Sequence, residues 1–294
     1  MFAPRAYFRI PLPSGSVLNL GEHCLVMGIL NVTPDSFGEP PERAARLDPA
    51  VAVDAALKME ADGADIIDIG GESTRPGAEL VSAEVERDRV MPVVEALAGR
   101  LRIPLSIDTS KATVASAALA AGAAMVNDVS GLHRDPELAH VVAATGAAVV
   151  LMHGRGLPKT MYAEAVYDDV MADVVGELRG SVGLAADAGV PIERIIVDPG
   201  VGFAKRPSHS YGVLARLPEL ATALARPILV GPSRKSFMRE AAGGRPAHER
   251  DWGTAAAVTA AVLAGAHIVR VHAVAEMVQV VRVAEEIRRN RQQP

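Results

Sequence analysis

The feature that most constrains this chain is a repeat of pattern rather than of letters. Short runs rich in Val, Ile and Leu occur at 25–30, 64–69, 104–107, 123–126, 147–152, 194–197, 227–230 and 267–271. Longer alanine-rich stretches at helical spacing lie between and after them, beginning near Asp48, Ser82, Lys111, Asp135, Asp168, Ser210, Asp251 and Ala275. Strands alternating with helices in this way indicate βαβ units and a parallel sheet, and the right-handed crossover rule leaves few topologies. Eight such units in 294 residues predict an α/β fold, the (β/α)8 TIM barrel. An open doubly wound sheet is the alternative; no glycine-rich dinucleotide fingerprint follows an early strand to favour it. Residues 5–24 are expected to form a short hairpin plugging one barrel end. No linker divides the chain, so residues 1–294 read as one domain with a core of about 25–285.

Composition narrows the class of function. Apolar residues make up 49% of the chain and aromatics 3%, which suits many small helix–sheet contacts. A formal charge of −5 argues against a nucleic-acid partner, which needs a basic surface. Cys24 is the single cysteine, so no intrachain disulfide forms, in keeping with a reducing, cytoplasmic setting. The N-terminus is broken by Pro4, Pro11 and Pro13 and is not expected to act as a secretory signal. The best membrane candidate, 254–271, is interrupted by Gly265, His267 and Arg270, and reads as a buried helix followed by a strand. No membrane association is expected.

Each strand candidate runs into polar residues. In order these are Asn31, Asp68 with Gly70-Gly71, Asp108, Asn127-Asp128, His153, Asp198, Ser233-Arg234-Lys235, and Arg270 with His272. Taken singly, an Asp or Asn after a strand is most often a helix cap, and Asp128 and Thr109 fit that role. Eight polar ends in one register instead ring the barrel mouth where enzymes of this fold carry their chemistry.

Two poles are expected within the ring. Asp68, Asp108, Asn127 and Asp198, with Lys235 as counter-charge, suit a flat heterocycle with several N–H donors, such as an aminopyrimidine or pterin. Arg234, Lys235, Arg270 and His272 suit a phosphate or pyrophosphate. Asn31 and Asp35, in "NVTPDSFG", offer hard oxygens of the kind Mg2+ accepts beside a phosphate. No zinc-ligand spacing and no Gly-x-Ser-x-Gly elbow is present. The stretch "GGESTRPGA" (70–78) leaves its strand through two glycines into a polar arm.

The blocks "MGILNVTPDSF" (27–37), "GADIIDIGGESTRPGA" (63–78), "SIDTSK" (106–111), "NDVSGL" (127–132), "LMHGRGLPKTM" (151–161), "DPGVGFAK" (198–205), "GPSRKS" (231–236) and "RVH" (270–272) resemble dihydropteroate synthase, in order and spacing over about 25–285. The resemblance implies a (β/α)8 barrel that joins 6-hydroxymethyl-7,8-dihydropterin diphosphate to 4-aminobenzoate, releasing diphosphate and 7,8-dihydropteroate in folate synthesis. It implies pterin binding by Asp68, Asp108, Asn127, Asp198 and Lys235, with Lys235, Asp108 and Asp198 catalytic. Arg270 and His272 would grip the diphosphate, Asn31 would contact Mg2+, and Ser233 would lie among the substrate-binding residues. Thr74, Arg75 and Pro76 would cover the aminobenzoate side, with Phe203 and Lys235 forming that pocket. A homodimer and sensitivity to sulfonamides, as aminobenzoate analogues, are further expectations. The chain departs from the family pattern at Gly38-Glu39-Pro40-Pro41, where Ser-Asp-Gly-Gly is common, and at Val201, Pro232 and Ala273. Two alternatives stand beside this reading: a methyltetrahydrofolate-dependent methyltransferase, and a catalytically silent pterin-binding paralogue.

Overall fold

The computed structural model describes residues 4–33, 48–75 and 77–290. Two short antiparallel strands, β1 (Phe8–Pro11) and β2 (Val17–Leu20), form the expected hairpin. Eight parallel strands follow: β3 (Leu25–Asn31), β4 (Ile66–Gly70), β5 (Leu105–Asp108), β6 (Met125–Asp128), β7 (Ala148–Met152), β8 (Ile195–Asp198), β9 (Leu229–Val230) and β10 (Ile268–Val271). They pair in the order β8-β7-β6-β5-β4-β3-β10-β9, and a bridge from Val197 to Ile228 brings the two ends of the sheet together. Helices α1 (Pro49–Ala61), α2 (Ala83–Leu97), α3 (Ala112–Ala120), α4 (Glu137–Thr145), α5 (Val170–Asp187), α6 (Pro207–Ala215), α7 (Leu217–Leu224), α8 (Asp251–Leu263) and α9 (Val274–Asn290) surround the barrel. Among the described residues no helix is long and apolar enough to cross a membrane.

Strand alternation explains both cores. Side chains two apart on a strand share a face. Ile67 and Ile69, Val149 and Leu151, and Ile195 and Val197 pack outward against the helices. Ile66, Met125, Val150, Ile196, Leu229 and Ile268 point inward, where Ile10, Leu12, Leu18 and Leu20 of the hairpin close the barrel floor. Asp68 has the parity of Ile66, Asn127 that of Met125, Asp198 that of Ile196, and Arg270 that of Ile268. The same alternation that builds the apolar floor therefore aims these four polar groups into the mouth.

The chain is also tied at its start. Arg5 Nη1 donates to Glu285 Oε1 at 2.7 Å, and the same oxygen accepts the Cys24 backbone N–H at 2.8 Å. Burial pushes the Cys24 thiol up to about 12, so it is inert at neutral pH.

Two sequence expectations need correction. The seventh strand was expected over 227–230, yet regular pairing covers Leu229–Val230. Pro227 has no N–H to donate, and the Ile228 N–H goes to His267 Nδ1 at 3.1 Å. The helix expected from Ser210 starts earlier, with Pro207 in its first turn, and gives way to a second helix at Leu217. Pro218 explains the break, since it fits an opening turn but cannot continue a helix.

Candidate active site

The inward-facing groups converge on one buried cluster. Asp68 Oδ2 accepts from Asn127 Nδ2 at 2.9 Å and from Arg270 Nε at 2.6 Å. Arg270 Nη2 donates to Asp108 Oδ2, also at 2.6 Å. Burial lifts the Asp108 carboxyl to about 7, against the pull of Arg270 and with further upward pressure from Asp68. Asp198 is raised by burial too, while Lys235 pulls it down and the Gly200 N–H donates to its Oδ1 at 2.7 Å.

Lys235 enters from the turn after β9. Its Nζ donates to the Val201 carbonyl at 2.6 Å and sits 4.2 Å from the Phe203 ring centroid. Desolvation lowers it to about 8, with Asp198 the leading opposing influence. Ser233 Oγ lies 2.9 Å from His272 Nδ1 and accepts the His272 backbone N–H at 3.1 Å. The hydroxyl thus ties the backbone and the imidazole of His272 to the turn after β9.

The two expected poles overlap at Arg270. Arg270 bridges Asp68 and Asp108 instead of standing apart from the carboxylates, because buried carboxylates need a counter-charge within reach. Arg234 does not join the cluster. Its backbone adopts φ +58°, which breaks the alternation and turns the side chain outward. There it pairs with both oxygens of Asp251 at 2.8 Å, and its N–H donates to Thr254 Oγ1.

A cleft opens above the cluster, lined by Asn31, Thr33, Glu72, Ser73, Thr74, Asp108, Phe203, Ser233, Lys235, Arg270 and His272, among others. Thr74 thus reaches it. Pro76 and Asp35, and the divergent 38–41, lie outside the described residues. The arm after β4 is anchored at both ends. Gly71 is required because a Cβ there would come within 2.7 Å of Val90 Cγ1 and 3.0 Å of the Glu86 carbonyl. The Arg75 carbonyl accepts the Ala78 N–H, and the Gly77 N–H reaches Pro158 O at 3.0 Å.

Sequence reading does not mark Lys111 and Arg134 as partners of this arm. Glu72 accepts the Val81 N–H of its own loop at 2.9 Å, and pairs with Lys111 at 2.6 Å and Arg134 at 3.2 Å. Lys111 also pairs with Glu86, on α2. The arm is therefore held at its root by ion pairs to two neighbouring segments, one of them tied in turn to α2. His153 ends its strand as expected, but it is 3% exposed and bound to Lys205 rather than presented to the cleft. Asp128, of opposite parity to Asn127, points away from the mouth and accepts Ser130 N at 2.8 Å and Leu132 N at 2.6 Å, a structural role. Thr109 Oγ1 likewise accepts the Lys111 N–H. Among the described residues no three His, Cys, Asp or Glu side chains are grouped to hold a metal.

A parallel barrel with a charged, desolvated cluster under a cleft at its C-terminal mouth defines an enzyme of the (β/α)8 class. The family model described as "Pterin binding enzyme" matches residues 27–272. Dihydropteroate synthase from Synechocystis is 46% identical over 282 residues, covering 96% of this chain and 96% of the relative. That from Bacillus subtilis is 43% identical, covering 92% and 90%. Among solved structures, Yersinia pestis dihydropteroate synthase in a sulfonamide drug complex superimposes with a TM-score of 0.88 at 42% identity, covering 94% of this chain and 97% of that one. Burkholderia cenocepacia dihydropteroate synthase complexed with 7,8-dihydropteroate gives 0.86 at 42%, covering all of both chains. The chain belongs to the pterin-binding enzymes and, within them, to the dihydropteroate synthases, transferases of folate biosynthesis.

Proposed function

We propose that the buried cluster holds the dihydropterin ring and that the cleft above it receives the diphosphate and the aminobenzoate. The observation that carries this assignment is the set of three carboxylates and one amide gathered around two cations in a single register. Asp108, Asn127 and Asp198 offer acceptors to the N–H row of the pterin edge, and Lys235 offers a donor to its acceptor atoms. Arg270 uses two of its five N–H donors on Asp68 and Asp108. The others, with His272 and Ser233, suit the diphosphate oxygens. Thr74, Arg75, Pro76 and Phe203, with Lys235, border the aminobenzoate.

The bond between the exocyclic methylene and the diphosphate oxygen breaks, and its electron pair leaves with the diphosphate. The carboxylates stabilise the cation left on the pterin in an SN1-like step, and the guanidinium and imidazole stabilise the departing charge. The arylamine lone pair then forms the C–N bond, and the amine proton passes to solvent. An arylamine is already nucleophilic, so positioning does much of the work. Asn31 offers a hard amide oxygen at the cleft wall. That oxygen would hold an Mg2+ beside the diphosphate. When bound there, Mg2+ would supply charge neutralisation to the leaving group.

Dihydropteroate formation should require the pterin diphosphate, 4-aminobenzoate and a divalent cation together, with EDTA reducing the rate to background. No diphosphate release with all three present, or full activity in EDTA, would overturn this assignment. A sulfonamide should compete with 4-aminobenzoate and not with the pterin.

We further infer a cytoplasmic homodimer, with each chain a single domain. Trp252 is 89% exposed on α8, and with the exposed Tyr211 of α6 it borders a hollow floored by Leu214 and Met238 and rimmed by Arg245 and Glu249. Sedimentation should give a dimer for the natural chain and a monomer for Trp252→Asp. A monomer for both at micromolar concentration would remove the inference.

A further inference from the structure

Lys205 is among the most deeply buried side chains of the protein, at 1% exposure, and takes no part in the roles assigned above. Burial lowers it to about 7, with Asp198 the leading opposing influence; in its charged form three N–H groups meet three acceptors. Nζ lies 2.7 Å from His153 Nδ1, 3.1 Å from the Gly200 carbonyl and 3.2 Å from the Phe203 carbonyl. His153 is suited to accept, because burial and the neighbouring Lys205 hold its imidazole down to about 4. Its other nitrogen faces Glu177 Oε2 at 3.1 Å.

The segment that Lys205 grips is unusual backbone. Gly200, Gly202 and Ala204 have φ of +65°, +80° and +46°. A Cβ on Gly200 would lie 1.9 Å from the His153 carbonyl, so the turn is pressed against the end of β7. Ala204, an L-residue in the left-handed region, is disfavoured there; its carbonyl is secured by Tyr167 Oη at 2.9 Å. Lys235 holds the same turn from the cleft side, through the Val201 carbonyl and the Phe203 ring. Two lysines thus hold one strained loop, Lys205 through the Gly200 and Phe203 carbonyls and Lys235 through the Val201 carbonyl and the Phe203 ring.

We propose that Lys205 is a positioning residue for the aminobenzoate side of the site, fixing Phe203 through the two carbonyls and relying on His153 as its third acceptor. All three donors are occupied, so it acts through Phe203 and not on substrate. The inference rests on the reading that Phe203 borders the aminobenzoate.

The test separates KM values for the two substrates. In Lys205→Met, KM for 4-aminobenzoate should rise on the order of 10-fold or more, well beyond any rise in KM for the pterin diphosphate, which Lys205 reaches only through its lesser pull on Asp198. His153→Leu, which keeps the lysine but removes its acceptor, should shift KM for 4-aminobenzoate in the same direction. His153→Gln, whose side-chain oxygen can accept, should restore it. Unchanged KM for 4-aminobenzoate in His153→Leu, or both KM values rising together in the folded variants, would overturn the role of Lys205. If Lys205→Met does not fold, the His153 pair decides. Natural enzyme that forms no dihydropteroate would instead refute the assignment of the aminobenzoate side, so the two failures are distinguishable.

Discussion

Lys235→Ala is expected to lower kcat/KM for the pterin diphosphate by about 10^3-fold, near the loss seen when a preorganised donor is removed from a transition-state site. The substitution removes more than one contact. Lys235 is the main charge pulling Asp198 toward its ionised form, against its burial. Without it the Asp198 carboxyl rises further, which weakens it as an acceptor for the pterin N–H. The Val201 carbonyl and the Phe203 ring lose their cation in the same stroke.

Stability should change little, because Lys235 is itself held down to about 8 by desolvation and is costly to keep charged. Circular dichroism should therefore match the natural chain. The double variant Lys235→Ala with Asp198→Asn should lose little beyond either single change, since both act on one interaction. A loss under about tenfold, or full additivity in the double variant, would break the link between this lysine and the pterin cluster.

Arg270→Met is expected to affect stability as much as activity. It leaves Asp68 and Asp108 buried next to each other without their shared cation. Removing one partner of a buried ion pair costs about 3–5 kcal/mol. The sign of the pH dependence follows from Asp108, whose carboxyl is already raised from its ordinary value to about 7. A carboxyl raised in the folded state binds protons more tightly there than in the unfolded chain. Its unfavourable contribution is full above the folded value and disappears as pH falls toward the unfolded value. Removing Arg270 raises that carboxyl further. Urea unfolding should thus show a larger loss at pH 8 than at pH 5. An equal loss at both values would mean that the carboxylates are not what Arg270 holds in place.

Much of this was legible in the letters. The eight apolar runs and their alternation with alanine-rich helices required a parallel α/β sheet, and the count favoured closure. Parity along each strand already separates Asn127, aimed inward with Met125, from Asp128, aimed outward at its own loop. Neighbouring letters in "SRKS" look equivalent, yet Lys235 enters the cluster and Arg234 leaves it. That choice lies in the positive φ at Arg234, which periodicity does not encode. Lys205 reads as one more basic residue near a helix start, and nothing local marks it as buried.

What the sequence determined by itself was therefore the identity of the fold and the ring of polar strand ends, because both follow from a period of two along strands and from element length. What only the tertiary structure decided was which charges meet. Asp68 and Arg270 are 202 residues apart, Asp108 and Arg270 162, and His153 and Lys205 52. Their pairing depends on closing the barrel and excluding water around it. Once solvent is gone, each buried carboxylate takes the nearest cation the ring provides, and distance across a ring is a property of the closed sheet and not of any segment within it.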